Sequence, residues 1–307
     1  MRTMVAAAVL ILVSTLVQAG PLPEPVVQKI NDRVYVLLGP LDFPNKGNQG
    51  YMVNTTAIIG DKGVILVDTG FTDEVGKHLG KTISKLTLKP VTHIINTHHH
   101  GDHHLGNIAF KGAEVTSTQQ CKDFVENTGY EWIDVVQKAS GVKFPNTIPV
   151  PASVTVLQET RTERVIDGVK VVLWAPKGSH SPDDLIVYLP DDKVLMAGDI
   201  LVNRTTPVFN DAHIRNWIGT LEDIQHIDTE TLVPGHGPLM TKIDVAALHQ
   251  RMSSLYAGIE AGYKKGLSDT EIRKTLNLSE WKNLLRFEEQ IGANINRVFL
   301  EVEQVNF

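Results

Sequence analysis

The chain has a single cysteine, Cys121, among 307 residues. No internal disulfide can form, and any metal site must be built from histidine and carboxylate rather than thiolate. Cys121 itself reads as a small, partly buried side chain. There is no run of Lys or Arg, and the formal charge is −6, which argues against nucleic acid as a partner. No internal repeat is visible, and the composition is that of an ordinary folded chain rather than a disordered one. Beyond the first residues, no apolar run approaches the roughly 20 residues that a membrane-spanning helix needs.

The one sustained apolar run lies at the start. Arg2 precedes an uncharged stretch over 6–17, and Val17-Gln18-Ala19 supplies small residues of the kind a signal peptidase reads. This predicts a leader over 1–19. The run is short for a bilayer, which favours cleavage over an uncleaved anchor helix. The mature chain is then expected to be periplasmic or secreted, with no stable membrane anchor. Loss of Arg2 takes the charge from −6 to −7.

After the leader, residues 21–25 read as a stiff, exposed, Pro-rich linker. Short apolar runs between turn signals predict strands over 33–38, 51–59 and 63–68. The Gly/Asn/Pro-rich segment 39–50 is long enough to form a flap. Helical spacing follows over 72–86, closed by Pro90, and again over 118–140. Further strands are predicted over 91–96, 147–156, 163–166, 169–175, 184–189, 193–197 and 231–233, with a helix over 217–227. From Asp244 to Phe307 the pattern is helical, broken at Gly266 and near Leu278. Strands and helices repeating in two halves predict an α/β chain. Its two sheets pack face to face with helices outside, a four-layer αββα sandwich, and 244–307 form a C-terminal helical extension.

The strand over 91–96 runs into Thr97-His98-His99-His100-Gly101-Asp102-His103-His104, five histidines and an aspartate within seven residues. Zinc takes neutral imidazole nitrogen and carboxylate oxygen as ligands. Alternate side chains of a short loop can aim at one point, so His98 and His100 can share one ion. Asp102 and His103, past the Gly101 turn, can reach a second. The alternative is a His-rich surface loop with incidental metal affinity. Three downstream pieces weigh against it: His180 in Gly178-Ser179-His180-Ser181, Asp199 closing Met196-Ala197-Gly198-Asp199, and His236 in Pro234-Gly235-His236-Gly237. Each follows a predicted strand, and together they complete two coordination spheres.

The HxHxDH loop, the later histidine, the AGD carboxylate and the PGHG histidine resemble the metallo-β-lactamase superfamily over about residues 34–238. Val67-Asp68-Thr69-Gly70 fits that family's aspartate turn, where Asp68 supports the histidine loop from behind; a plain turn residue is the other reading. The resemblance implies a hydrolase domain over 20–243 that holds two Zn2+. His98, His100 and His180 would bind the first ion and Asp102, His103 and His236 the second, with Asp199 bridging or binding the second. His99 and His104 fall at positions that bind no metal and are expected to hydrogen-bond or face solvent. The activity implied is cleavage of an ester, thioester, lactone or lactam in a small-molecule substrate by a metal-activated hydroxide. The resemblance implies Asp102 as the catalytic residue, which would orient the nucleophile.

Departures from the pattern narrow this. Asp199 stands where one class of true metallo-β-lactamases has Cys. Val202 stands where those enzymes have a Lys that holds the drug's carboxylate, and Arg204 is the nearest replacement cation. His213 replaces an Asn near the substrate. The set matches the wider superfamily better: thioesterases of the glyoxalase II type, lactonases and exported hydrolases. The C-terminal helices are either a substrate cap or packing support, and the apolar spacing over 294–301 favours packing. Two further readings stand beside the hydrolase: an iron-dependent persulfide dioxygenase that engages part of the ligand set, and a non-catalytic metal-binding protein.

Overall fold

The computed structural model describes residues 20–306, so the expected leader over 1–19 lies outside the described residues. A seven-stranded sheet runs in chain order: β1 (Val26–Lys29), β2 (Val34–Leu38), β3 (Thr55–Ile59), β4 (Val64–Val67), β5 (Val91–Ile95), β6 (Glu114–Thr118) and β7 (Val154–Val156). Pairing is antiparallel as far as β4 and parallel beyond it. A five-stranded sheet is built from β8 (Thr160–Ile166), β9 (Val169–Ala175), β10 (Ile186–Leu189), β11 (Val194–Met196) and β12 (Thr231–Val233), in the order β12-β11-β10-β9-β8. Only its β11–β12 pair is parallel.

The helices are α1 (Asp73–Ile83), the single turn α2 (Gly101–His104), α3 (Gln119–Ser140), α4 (Ile214–His226), α5 (Lys242–Tyr263), α6 (Asp269–Thr275) and α7 (Phe287–Asn306). Thr72 starts α1 by accepting the Val75 N–H, and Thr241 and Asp244 form a reciprocal capping box on α5.

Alternation along the strands sorts their side chains into layers. Val34, Val36, Ile65, Val67, Val171, Leu173, Val187 and Leu189 meet between the sheets. Their neighbours Leu37, Val64 and Leu66 face outward onto Val75, Leu79 and Ile83 of α1. On the other side Ile186, Leu195 and Leu232 face Trp217, Leu221 and Ile224 of α4. The predicted αββα sandwich is the fold observed.

The same buried cluster continues from α4 into Leu248, Met252 and Ile259 of α5 and Ile291 and Val298 of α7. Buried Glu301 of α7 accepts the backbone N–H groups of Ile214 (2.8 Å) and Arg215 (2.9 Å), the first residues of α4. A carboxylate there satisfies orphan donors and complements the helix dipole. No helix among the described residues is long and apolar enough to cross a membrane.

Several boundaries differ from expectation. Strand β3 starts at Thr55, not 51, because Asn54 turns aside to hold another loop. Only three residues of 147–156 form β7, since Pro149 and Pro151 cannot donate to a ladder. Strand β6 was not anticipated: Glu-Val-Thr-Ser-Thr has no apolar run, and its polar side chains are buried by strands on both flanks. Residues 21–25 are no free linker either. Leu22 packs on the α1 cluster, and His78 Nε2 lies 2.9 Å from the Pro23 carbonyl.

Replacing Glu301 with Ala leaves the first N–H groups of α4 without their acceptor. We expect a loss of about 1–2 kcal/mol in chemical denaturation, with Glu301→Gln losing less. A Glu301→Ala protein as stable as the parent would contradict the capping role.

Candidate metal centre

Three strand ends and one inter-strand loop deliver the expected ligands. Strand β5 ends at Ile95, and the following loop and α2 carry His98, His100, Asp102 and His103. His180 lies in the loop between β9 and β10, Asp199 in a 3-10 turn after β11, and His236 in the turn after β12. Backbone hydrogen bonds tie these loops across the two sheets: Leu185 N–H to Thr97 O (2.7 Å) and Asn54 N–H to Gly235 O (2.8 Å).

All seven predicted residues come together, in two groups. The rings of His98, His100 and His180 form a triangle with centroids 4.6, 4.8 and 4.9 Å apart. Asp199 Oδ2 lies 3.9 Å from His180 Nε2. In the second group Asp102 Oδ2 is 3.5 Å from His103 Nε2 and 3.2 Å from His236 Nε2. Asp199 Oδ1 is 3.4 Å from each of those two nitrogens. Asp199 therefore turns one oxygen toward each group. The potential ligand atoms of His98, His100, His180 and Asp199 lie within 4.8 Å of one another, as do those of Asp102, His103 and His236.

The residues fit a metal. His98 Nε2, His103 Nε2 and Asp199 Oδ1 are buried without a hydrogen-bond partner. Native interiors rarely leave such atoms unpaired; a cation in the first group would satisfy His98 Nε2, and one in the second would satisfy His103 Nε2 and Asp199 Oδ1. Imidazole nitrogen with carboxylate oxygen suits zinc and also accommodates iron.

The opposite ring nitrogens of four of the five histidines are held from behind, which fixes ring orientation, whereas His180 Nδ1 is buried without a hydrogen-bond partner, 3.9 Å from Asp184 Oδ1. His98 Nδ1 lies 3.1 Å from Thr97 Oγ1, His100 Nε2 3.1 Å from Asp211 Oδ2, His103 Nδ1 2.8 Å from Asp68 Oδ2, and His236 Nδ1 3.1 Å from Met52 O. Asp68 also accepts the Thr97 N–H at 2.9 Å and the Thr97 hydroxyl at 2.8 Å. It is thus no plain turn residue, and its positive φ of 61° is maintained by that network. Gly235 explains the PGHG glycine: a Cβ there would meet Asp199 Oδ1 at 1.9 Å.

The two groups differ electrostatically. Burial, reinforced by the neighbouring histidines, holds His98 well below the usual imidazole range; burial also takes His180 down to about 3. Both offer neutral nitrogens at any ordinary pH. In the second group burial is outweighed by the carboxylates. Asp102, Asp68 and Asp199 raise His103 well above its ordinary value, and Asp199 with Asp102 raises His236 to about 10. In return, His103 and His236 overcome burial to hold Asp102 at about 2.

His99 and His104, expected to bind no metal, do not face solvent, and His99 borders the first group: one of its ring nitrogens lies within 4.8 Å of ligand atoms of His100 and Asp211. His99 is buried, stacks on Phe124 (centroids 4.4 Å apart) and places Nδ1 2.7 Å from Asp183 Oδ1. His104 is wholly buried, and burial lowers it to about 3.

Three polar residues that shape the site carried no role in the sequence reading. Asp211 holds His100. Asn54 donates to the carbonyls of Pro234 (2.9 Å) and Gly237 (2.8 Å), clamping the His236 turn. Asp184 accepts from Ser179 N–H, Ser181 N–H and Ser181 Oγ, shaping the His180 loop. In sequence each sits among other polar residues (Asp184 after Asp183, Asp211 after Asn210, Asn54 before Thr55), without a spacing that marks it.

A cavity of about 280 Å³ opens above the ligands. The 39–50 segment contributes Leu41 to Pro44, α3 contributes Trp132 and Val135, and the C-terminal region contributes Leu285 and Gln290. The C-terminal region is therefore both packing support and cavity wall. Val202 lines the cavity, whereas Arg204 is exposed and does not.

Two outcomes follow. Asp68→Asn weakens the partner of His103 Nδ1 and should lower metal affinity about 10–100-fold in chelator competition; unchanged affinity would contradict the supporting role. Metal entering the second group must displace the protons that His103 and His236 hold near neutrality. Calorimetry in buffers of differing ionisation heat should show release of at least about two protons per chain at pH 7.5 from these imidazoles, with any proton lost by a metal-bound water in addition. The His236 share of this release should fade above pH 10, where His236 loses its proton unaided. Release near zero at pH 7.5 would contradict the charge assignment.

Comparison with known proteins agrees with this geometry. Residues 48–236 match the model of the metallo-beta-lactamase superfamily. A metallo-beta-lactamase type 2 from Bacillus sp. (strain 170) is 26% identical over 226 residues, spanning 70% of this chain and 77% of its own length. Among solved structures, a stereoselective inverting sec-alkylsulfatase from Pseudomonas sp. aligns with a TM-score of 0.68 at 20% identity, over 90% of this chain and 50% of that one. A metallo-beta-lactamase from Pontibacter korlensis aligns at 0.59 and 20% identity, over 75% of this chain and 99% of that one. At such identities the structural likeness speaks for the fold alone. The family match itself spans every residue from His98 to His236, and the chain belongs to the metallo-beta-lactamase superfamily.

Proposed function

We propose that the protein is a dinuclear zinc hydrolase that cleaves an ester, thioester, lactone or lactam bond in a small molecule. One observation carries this reading: seven side chains from separate loops converge as two ligand groups that share Asp199, with buried ligand atoms left unpaired. Burying charge in this way costs several kcal/mol per ion and adds little to stability, so a bound cation is its natural explanation. Relatives named as a metallo-beta-lactamase and as a linear primary-alkylsulfatase support hydrolysis without selecting the bond.

In this proposal His98, His100 and His180 hold one ion, Asp102, His103 and His236 the other, and Asp199 joins them. Bound there, the ions supply Lewis acidity toward the substrate oxygen and acidify a water for attack at neutral pH. The chain's own residues do the rest. Asp102 lines the cavity and is held ionised, with Oδ2 committed to the His103 and His236 side. Its Oδ1 remains to accept a hydrogen bond from the attacking water and so to orient it. Phe43, Phe71 and Trp132 wall the cavity and exclude bulk water from the reacting bond. All ligand histidines must be neutral, so activity falls in acid.

The completeness of both ligand groups favours two ions over the single iron of a persulfide dioxygenase. The cavity above them favours turnover over metal storage. The proposal includes export: the leader read over 1–19 supports a periplasmic or secreted enzyme.

Metal analysis of purified protein, joined to a panel of ester, thioester, lactone and β-lactam substrates, tests the reading. We expect two zinc ions per chain and turnover of one bond class, with Asp102→Asn slowing kcat by about 100-fold or more. One iron per chain with oxygen consumption would favour the dioxygenase. Bound metal without turnover would favour a binding protein.

A further inference from the structure

Among the described residues no Lys or Arg lines the cavity over the ligand groups. Its body is apolar, built from Phe43, Met52, Phe71, Trp132, Val202 and Leu285. The two carboxylates beyond the ligands are already spoken for. Asp211 Oδ2 lies 3.1 Å from His100 Nε2, and Asp42 Oδ1 lies 3.0 Å from Arg286 Nη2. Arg286, which does touch the wall, is itself occupied. Besides Asp42 it meets Glu289 at 3.4 Å, and its guanidinium covers the Phe43 ring at 4.7 Å from the centroid. That arrangement pins the 39–50 segment against the C-terminal region and leaves the cation little freedom to turn toward a substrate.

We infer that this site takes substrates whose body, away from the scissile group, is apolar and uncharged. The inference rests on the hydrolase reading and deepens it by naming the substrate class. A distal carboxylate entering the cavity would lose its hydration and find no cation to offset that loss, only the neutral donors of Thr205, Thr206, Asn210 and Gln290 on part of the wall. An alkyl or aryl chain would replace water against aromatic and aliphatic walls. Val202, only 7% exposed, sits at the position that decides this, because a Lys from there would have the cavity within its reach.

A matched series tests the inference on the zinc-loaded full-length protein. The 4-nitrophenyl ester of hexanoic acid and the mono-4-nitrophenyl ester of adipic acid have the same chain length, and only the second ends in a carboxylate. Their anilides, N-(4-nitrophenyl)hexanamide and N-(4-nitrophenyl)adipamic acid, report binding without turnover by quenching of tryptophan fluorescence, Trp132 being in the wall. We expect the neutral ester to lead in kcat/KM by about 100-fold or more, and the neutral anilide to bind correspondingly tighter. Val202→Lys, checked for parental metal content, should narrow both gaps by about tenfold or more.

Equal handling of the two anilides, preference for the charged one, or binding of neither would overturn the inference. A gap that Val202→Lys leaves unchanged would overturn the assignment to this wall. Hydrolysis of neither ester nor of any compound in the wider substrate panel, with the anilides still discriminated, would instead overturn the hydrolase reading.

Discussion

One carboxylate ties the site together. Asp199 turns one oxygen toward the three-histidine group and the other toward Asp102, His103 and His236. This needs the backbone of the His236 turn to come within contact distance of Asp199, which Gly235 alone permits. It also needs the ends of β5, β11 and β12 in register at one edge of the sandwich. The packed layer of Val, Ile and Leu between the sheets supplies that rigidity, because close-packed interiors do not deform smoothly. Loops supply the ligands and strands supply the precision.

The polar network behind the site is the second condition. Buried carboxylates and imidazoles are costly where their atoms lack partners. Asp68, Asp211, Thr97 and the Met52 carbonyl provide partners on the outer side of the rings, leaving the inner atoms for a cation. Asn54 and Asp184 do the same for backbone, holding the His236 and His180 loops in shape. Distant segments reach in as well. Trp217 of α4 donates to Ile200 O at 2.9 Å and places its ring 5.4 Å from His180, and Glu301 of α7 caps α4 in turn.

Much of this was legible in the sequence. The candidate ligand residues announce themselves by chemistry and spacing: His and Asp are costly to bury, so their clustering after apolar strands needs a reason. The sandwich was legible from short apolar runs set between turn signals, such as β4 and β9, and from the order of strands and helices. Less legible were features that depend on distant partners. Strand β6 is polar by composition and becomes a strand only because β5 and β7 flank it. Asp211 meets His100 across 111 positions of chain, and Asn54 meets Pro234 across 180. No local pattern encodes such contacts. The part played by Leu285 and Gln290 in the cavity wall was hidden for the same reason.

The central claim is that the two ligand groups are one binuclear centre hinged on Asp199. Anomalous diffraction from crystals of the zinc-loaded protein, recorded on either side of the zinc absorption edge, tests it most directly. The account predicts two peaks, one among His98, His100 and His180 and one among Asp102, His103 and His236, with Asp199 touching both. A single peak, or a second metal held by other residues with Asp199 turned away, would contradict it.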